Sequence, residues 1–216
     1  MDLLTFARGP ALQAAFTIFL IGTFWRLLGV LLLRRKLDHS EPRQPALAGA
    51  FKGQIAHLWP YQPFASRVMA SYLLGYAFHI GLVVVIFFYL PHILFIQDLF
   101  GVSWPALPHA VVNAVGGITL MALVALLVKR LMNPVTRLIS NFDDYFTWFV
   151  TVTPLVTGML AVAQVGARYE TLLALHLLSV ALLLIWFPFG KLMHAFFFVA
   201  ARATTGMIFE RRGTHS

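Results

Sequence analysis

Residues 71–96 read SYLLGYAFHIGLVVVIFFYLPHILFI, without one Asp, Glu, Lys or Arg. A hydrocarbon layer about 30 Å thick takes roughly 20 apolar residues to cross as a helix, and this stretch is longer than that. Backbone groups in lipid must be satisfied within their own segment, and nothing here alternates as a barrel strand does, so the stretch reads as a membrane helix. Comparable runs occupy about 10–33, 109–128, 142–165 and 171–199, and a polar connection covers 34–70.

Composition agrees with that reading. The 216 residues are 60% hydrophobic and 11% charged, whereas soluble domains are roughly 45–50% apolar and about 25% charged. The expected fold is an all-α integral membrane protein, a bundle of five transmembrane helices forming one domain over residues 1–216. The N-terminus lacks the basic, apolar and small-residue layout of a cleaved signal, so the first run is expected to be retained.

The net charge of +8 is mostly a statement about orientation. Arg34, Arg35, Lys36, Arg43, Lys52 and Arg67 lie in the first connection, Lys129, Arg130 and Arg137 in the third, and Arg202, Arg211 and Arg212 in the tail. The opposite ends carry only Arg8 and Arg168. By the positive-inside rule the N-terminus is expected outside and the C-terminus in the cytoplasm, in the inner membrane. No aromatic and basic stacking module accompanies the charge, so nucleic acid is not an expected partner.

The sequence has no cysteine and eight histidines. Disulfides, thiolate-held iron–sulfur clusters, covalent CxxCH haem and cysteine nucleophiles are thereby excluded on this chain, and histidine becomes the leading metal ligand. On one continuous helix, His176 and His194 are eighteen residues apart, five turns, which puts both rings on one face about 27 Å apart. His79 and His92 are thirteen residues apart, about 20 Å, with His92 rotated some 140° from the His79 face on an ideal helix. Pro91 lies between them and can kink or break that helix and redirect the ring. Because the second and last runs cross in opposite directions, topology pairs His79 with His194 on the cytoplasmic side and His92 with His176 on the outer side.

Two histidines facing each other from neighbouring helices satisfy the two axial positions of a b-type haem. The ordinary alternative for each is a helix–helix hydrogen bond, although polar side chains in the membrane are rare and usually line a functional path. His39, His57 and His215 read as solvated or interfacial. His109, following Pro105 and Pro108 at the outer start of the third run, is either a helix-start residue or a hydrogen-bond partner for a quinone. Gly75, Gly81, Gly116, Gly117 and Gly158 would let a macrocycle or another helix approach closely. Asn141 with Asp143 and Asp144 reads as a helix cap.

The stretches FHIG at 78–81 and LHLLSVALLLIWFPFGKLMHAF at 175–196 resemble the gamma subunit of respiratory nitrate reductase. They also resemble the wider family of five-helix di-haem cytochrome b subunits, which includes those of sulfite-reductase-associated and heterodisulfide-reductase-like complexes. The resemblance implies that His79 and His194 hold a cytoplasmic-side haem, and that His176 holds an outer haem with a second histidine of the second helix. The nitrate-reductase pattern puts that histidine ten residues after the first, where this chain has Tyr89; the nearest histidine is His92, which is the expected ligand here. Tyr89 and His109 are the candidate quinone residues.

The function expected on this basis is a subunit with two b-type haems that passes electrons between the membrane quinone or quinol pool and an iron–sulfur partner subunit at the cytoplasmic face. A further catalytic subunit would act on the soluble substrate. A single-haem quinone-binding anchor and a haem-free anchor or transporter are the alternatives.

Overall fold

A computed structural model of the chain describes residues 2–33 and 41–214. Arg34, Arg35 and Lys36 of the orientation argument, together with His39 and His215, lie outside the described residues. Among the described residues there is no strand. The helices are α1 (Leu3–Leu32), α2 (Ala46–Ala56), α3 (Ala65–Phe88), α4 (Leu90–Phe100), α5 (His109–Met132), α6 (Pro134–Ile139), α7 (Phe142–Ala163), α8 (Tyr169–Trp186) and α9 (His194–Arg212).

Among the described residues, six helical runs are long and apolar enough to cross a membrane: Leu3–Leu32, Gln62–Phe88, His109–Met132, Phe142–Ala163, Tyr169–Trp186 and Lys191–Arg212. An all-helical chain with several membrane-length helices is therefore correct, and the differences from the five expected runs have local causes. The first begins at Leu3 rather than near residue 10, because Pro10 is absorbed by a π-helical turn over Ala7–Ala11. The connection over 34–70 is not simply polar coil, since it contains α2 and the start of α3.

Two of the expected runs are broken. The second stops at Phe88, where Tyr89 is extended (φ −85°, ψ 125°), and α4 restarts with Pro91 in its first turn. Pro91 has no N–H to give to the Phe87 carbonyl, so the chain turns where that bond would be lost. Other donors take up the carbonyls of the last α3 turn. The Trp104 indole N–H reaches the Phe87 carbonyl at 2.5 Å and the Leu107 N–H reaches that of Phe88 at 3.0 Å.

The last run is likewise two helices. Trp186 ends α8, its carbonyl accepts from both Phe189 and Gly190 N–H at 3.0 Å, and a 3₁₀ turn over Lys191–Met193 leads into α9. Pro188 cannot continue an α-helical ladder. A Cβ at Gly190 would fall within 3 Å of the Trp186 ring, so the turn needs glycine there. His176 and His194 consequently sit on different helices, and the five-turn argument that placed them on one face is corrected.

The chain divides into two compact units, Met1–Phe16 with Ala70–Leu184, and Thr17–Met69 with Ile185–Ser216. In the first, Leu123, Val152 and Leu155 form a core packed by Phe78, Val85, Trp148 and Met159, and the Trp148 indole donates to the Leu123 carbonyl at 2.9 Å. Gly81 is a close-approach site, because a Cβ there would run into the fully buried Thr119. The α5–α7 hairpin is fixed at its turn. Asn133 caps α6 through the N–H groups of Val135 and Thr136, Asn141 and Asp144 form a reciprocal capping box, and Arg130 reaches Asp144 at 3.0 Å. The capping expected for Asn141 is present, with Asp144 as its partner.

In the second unit α2 runs antiparallel to α9. Gly49 and Gly53, one turn apart, press on the α9 backbone at Gly206 and Arg202, where any side chain would collide with main-chain atoms. Small residues at this spacing are what allow helix backbones to touch. Lys52 pairs with Glu210, and the Gln54 amide donates to the Val199 carbonyl at 2.7 Å. Phe19, Phe187 and Phe196 form an edge-on aromatic cluster, with Phe187 5.2 Å from Phe19 and 5.7 Å from Phe196, and Pro188 packs on Gly22.

Candidate functional site

The helix break at Tyr89 determines where His92 goes. On an uninterrupted helix its ring would face away from the side of His79, but the extended residue and the restart at Leu90 bring it back over the end of α3. There His92 Nδ1 lies 2.9 Å from the Val85 carbonyl, seven residues earlier. His176, on α8, reaches a carbonyl even more distant in sequence, that of Pro154 on α7, with Nδ1 at 3.0 Å. A carbonyl only accepts, so in both residues Nδ1 carries the proton and the neutral imidazole keeps its lone pair on Nε2.

The structure brings these two rings together. Their centroids are 6.2 Å apart and their planes differ by 13°. An imidazole nitrogen lies about 2 Å from a metal it ligates and roughly 1.1 Å from its own ring centre, so two imidazoles on opposite sides of one metal have centres about 6 Å apart. The observed separation has that size, as does a direct stack of two imidazole rings. Among the described residues no cluster of three or more His, Asp or Glu side chains could hold a metal ion.

The surroundings of His176 hold the ring closely. It lies on the α7 backbone at Gly158, where an added Cβ would be 3.1 Å from its Cε1 and 3.2 Å from its Nδ1. Thr157 Oγ1 is 3.3 Å from the same nitrogen and 3.0 Å from Ser179 Oγ, whose hydroxyl donates to the His176 carbonyl at 2.7 Å. Thr157 and Ser179 were not among the residues singled out from sequence, because the contact joins α7 to α8 across tertiary space. Of the five glycines noted there, only Gly158 meets an imidazole; Gly81 serves helix packing, and a Cβ at Gly75 or Gly117 would meet nothing within 4 Å.

Next to His92, Tyr89 packs edge-on at 5.3 Å between centroids. Its hydroxyl lies 3.4 Å from His109 Nε2, and Asn113 Nδ2 is 3.1 Å from His109 Nδ1. With the amide nitrogen donating to Nδ1, the ring proton of His109 sits on Nε2 and points at the tyrosine oxygen. His109 is the first residue of α5, after Pro108 as N-cap. Tyr89, His92, His109, Asn113 and His176 thus form one constellation within the first unit.

His79 and His194 belong to different units, and both are exposed. His79 Nδ1 lies 2.7 Å from the Gly75 carbonyl and His194 Nδ1 2.8 Å from that of Lys191. These bonds are local, three or four residues back along the chain. His57 makes the same bond to Gly53 at 2.7 Å, so this bond does not distinguish a ligand from an ordinary helix-surface histidine. The long-range bonds of His92 and His176 are the more informative ones.

Fold and site together define an all-helical protein with membrane-length apolar helices and a histidine pair held between helices. The chain is 32% identical over 210 residues, 94% of its own length and 91% of the relative's, to a protein of Nitratidesulfovibrio vulgaris (strain Hildenborough) described only as "Protein". It belongs to the same family as that protein. No family model matches the chain.

Proposed function

We propose that the chain is a membrane cytochrome b subunit that binds b-type haem through paired histidines. It would pass electrons between the membrane quinone pool and an iron–sulfur partner subunit, which serves a further catalytic subunit. The observation that carries this reading is the His92–His176 pair, with 6.2 Å between nearly parallel rings and each Nδ1 committed to a backbone carbonyl. Metal-bound histidines characteristically donate their second ring nitrogen in this way, which fixes both tautomer and orientation.

When bound, the haem supplies the one-electron chemistry, and the protein's part is ligation, burial and orientation. His92 and His176 would hold one haem; the family resemblance gives His79 and His194 as holders of a second. Gly158 makes room for the His176 ring, and Pro154 and Thr157 hold its Nδ1. Tyr89 and His109, beside His92, are the candidate quinone contacts. The His109 Nε2 proton is directed to the Tyr89 oxygen, which leaves the tyrosine proton available to a quinone carbonyl.

The distribution of Lys and Arg supports an outer His92–His176 site and a cytoplasmic C-terminus in the inner membrane. The absence of cysteine supports placing any iron–sulfur cluster on a partner chain. The test is the reduced-minus-oxidised spectrum of the purified protein with a pyridine haemochrome count. A b-type band reducible by a quinol, with about two haems per chain, is expected from four histidine ligands. About one haem would support the single-haem anchor, and no band would overturn the electron-transfer reading.

A further inference from the structure

The second unit carries a feature with no part in haem or quinone chemistry. Helix α2 turns Gly49 and Gly53 into α9, and its opposite side is apolar. Leu47, Phe51 and Ile55 are 71%, 70% and 70% exposed and recur every fourth residue, one stripe along the helix. Among the described residues none covers this stripe, because the glycine face is the one α9 occupies. Leu58, Trp59 and Tyr61 extend the exposed apolar surface beyond the helix end.

Eleven residues of helix are about 16 Å long, too short to cross a bilayer. The residues 57–61 between α2 and the membrane-length helix Gln62–Phe88 can span no more than about 18 Å when extended, so α2 is tethered to the place where that helix enters the bilayer. Trp and Tyr, here Trp59 and Tyr61, favour the headgroup level. Arg43 precedes the stripe, Lys52 lies on its flank and Arg67 follows it, while Arg202, Arg211 and Arg212 lie on the partner helix α9. The nearby acids Glu41 and Glu210 are outnumbered. A helix that exposes a stripe of large apolar side chains among basic residues, held at a membrane entry point, is matched by an anionic lipid surface.

We propose that α2 is an in-plane membrane anchor, laying Leu47, Phe51 and Ile55 into the headgroup–acyl boundary of an anionic leaflet while Gly49 and Gly53 lock it to α9, whose antiparallel segment around residues 202–210 then lies along the same surface rather than across the bilayer. The absence of cysteine makes the test direct. Single cysteines are placed at Leu47, Phe51, Ile55 and, as an aqueous reference, at the exposed Gln44. Each full-length variant is spin-labelled and reconstituted in vesicles of phosphatidylcholine with phosphatidylglycerol. Collision with oxygen, which partitions into lipid, is compared with collision with a water-soluble nickel chelate.

The oxygen-to-nickel ratio at positions 47, 51 and 55 is expected to exceed that at position 44 severalfold, and to fall when phosphatidylglycerol is omitted. A ratio equal to that at position 44 would put the stripe in water and overturn the proposal. Low collision with both reagents would mean that a protein surface covers the stripe, which overturns it equally. A ratio insensitive to phosphatidylglycerol would remove the anionic requirement. Trp59 fluorescence in an unlabelled variant whose other four tryptophans are replaced by phenylalanine gives an independent reading: brominated lipids should quench it, and no quenching counts against the anchor.

Discussion

Replacing Gly158 with alanine tests how closely the His176 ring depends on the α7 backbone. The new Cβ would lie 3.1 Å from Cε1 and 3.2 Å from Nδ1, inside ordinary contact distance, so the ring must retreat by a few tenths of an ångström. The imidazole has little freedom to do so, because Nδ1 is bonded to the Pro154 carbonyl at 3.0 Å and lies near Thr157 Oγ1. Overpacking of this kind costs about 1–3 kcal/mol. At about 1.4 kcal/mol per tenfold change, that is roughly 5- to 150-fold weaker retention of a group ligated by His176. The assay is haem per chain during dilution or apoprotein competition, with the midpoint potential of the remaining centre. Gly117→Ala, where a Cβ meets nothing within 4 Å, is the control and should behave as wild type. Retention and potential in Gly158→Ala identical to wild type would refute the claim that the ring is seated on this glycine.

Other consequences concern the scaffold. Asp144→Ala removes the return half of the capping box and the partner of Arg130; loss of the cap together with a nearly buried ion-pair partner should cost about 1–3 kcal/mol, read as a lower melting temperature in detergent. Gly49→Ala or Gly206→Ala puts a methyl onto the facing helix backbone, and amide exchange over residues 46–56 should accelerate by at least tenfold as α2 separates from α9. Gly29→Ala, where a Cβ meets nothing within 4 Å, should leave that exchange unchanged.

The long apolar runs are readable from sequence because membrane length and absence of charge are local properties. The cap at Asn141 and Asp144 is local too. The breaks are harder. Pro91 signals one, yet only the structure fixes Tyr89 as the extended residue and turns His92 onto Val85. At 187–190 the sequence Phe-Pro-Phe-Gly interrupts a run apolar on both sides, so composition alone reads through it and misplaces His176 and His194 on one helix face. Helix α2 goes unseen because ALAGAFKGQIA is too short for a membrane window and sits among charges; its glycines acquire meaning only against α9. Thr157 and Ser179 carry no motif, since their role depends on how α7 and α8 pack.

The most direct test of the account is electron paramagnetic resonance of the oxidised, purified protein beside His92→Ala and His176→Ala. Two axial imidazoles give low-spin ferric haem, and ring planes differing by 13° correspond to a rhombic signal rather than a strongly anisotropic one. The account predicts that signal in the wild type and its loss in both variants, with any signal from a His79–His194 centre unchanged. Absence of low-spin ferric haem in the wild type, or a total low-spin ferric signal undiminished by either substitution, would contradict it.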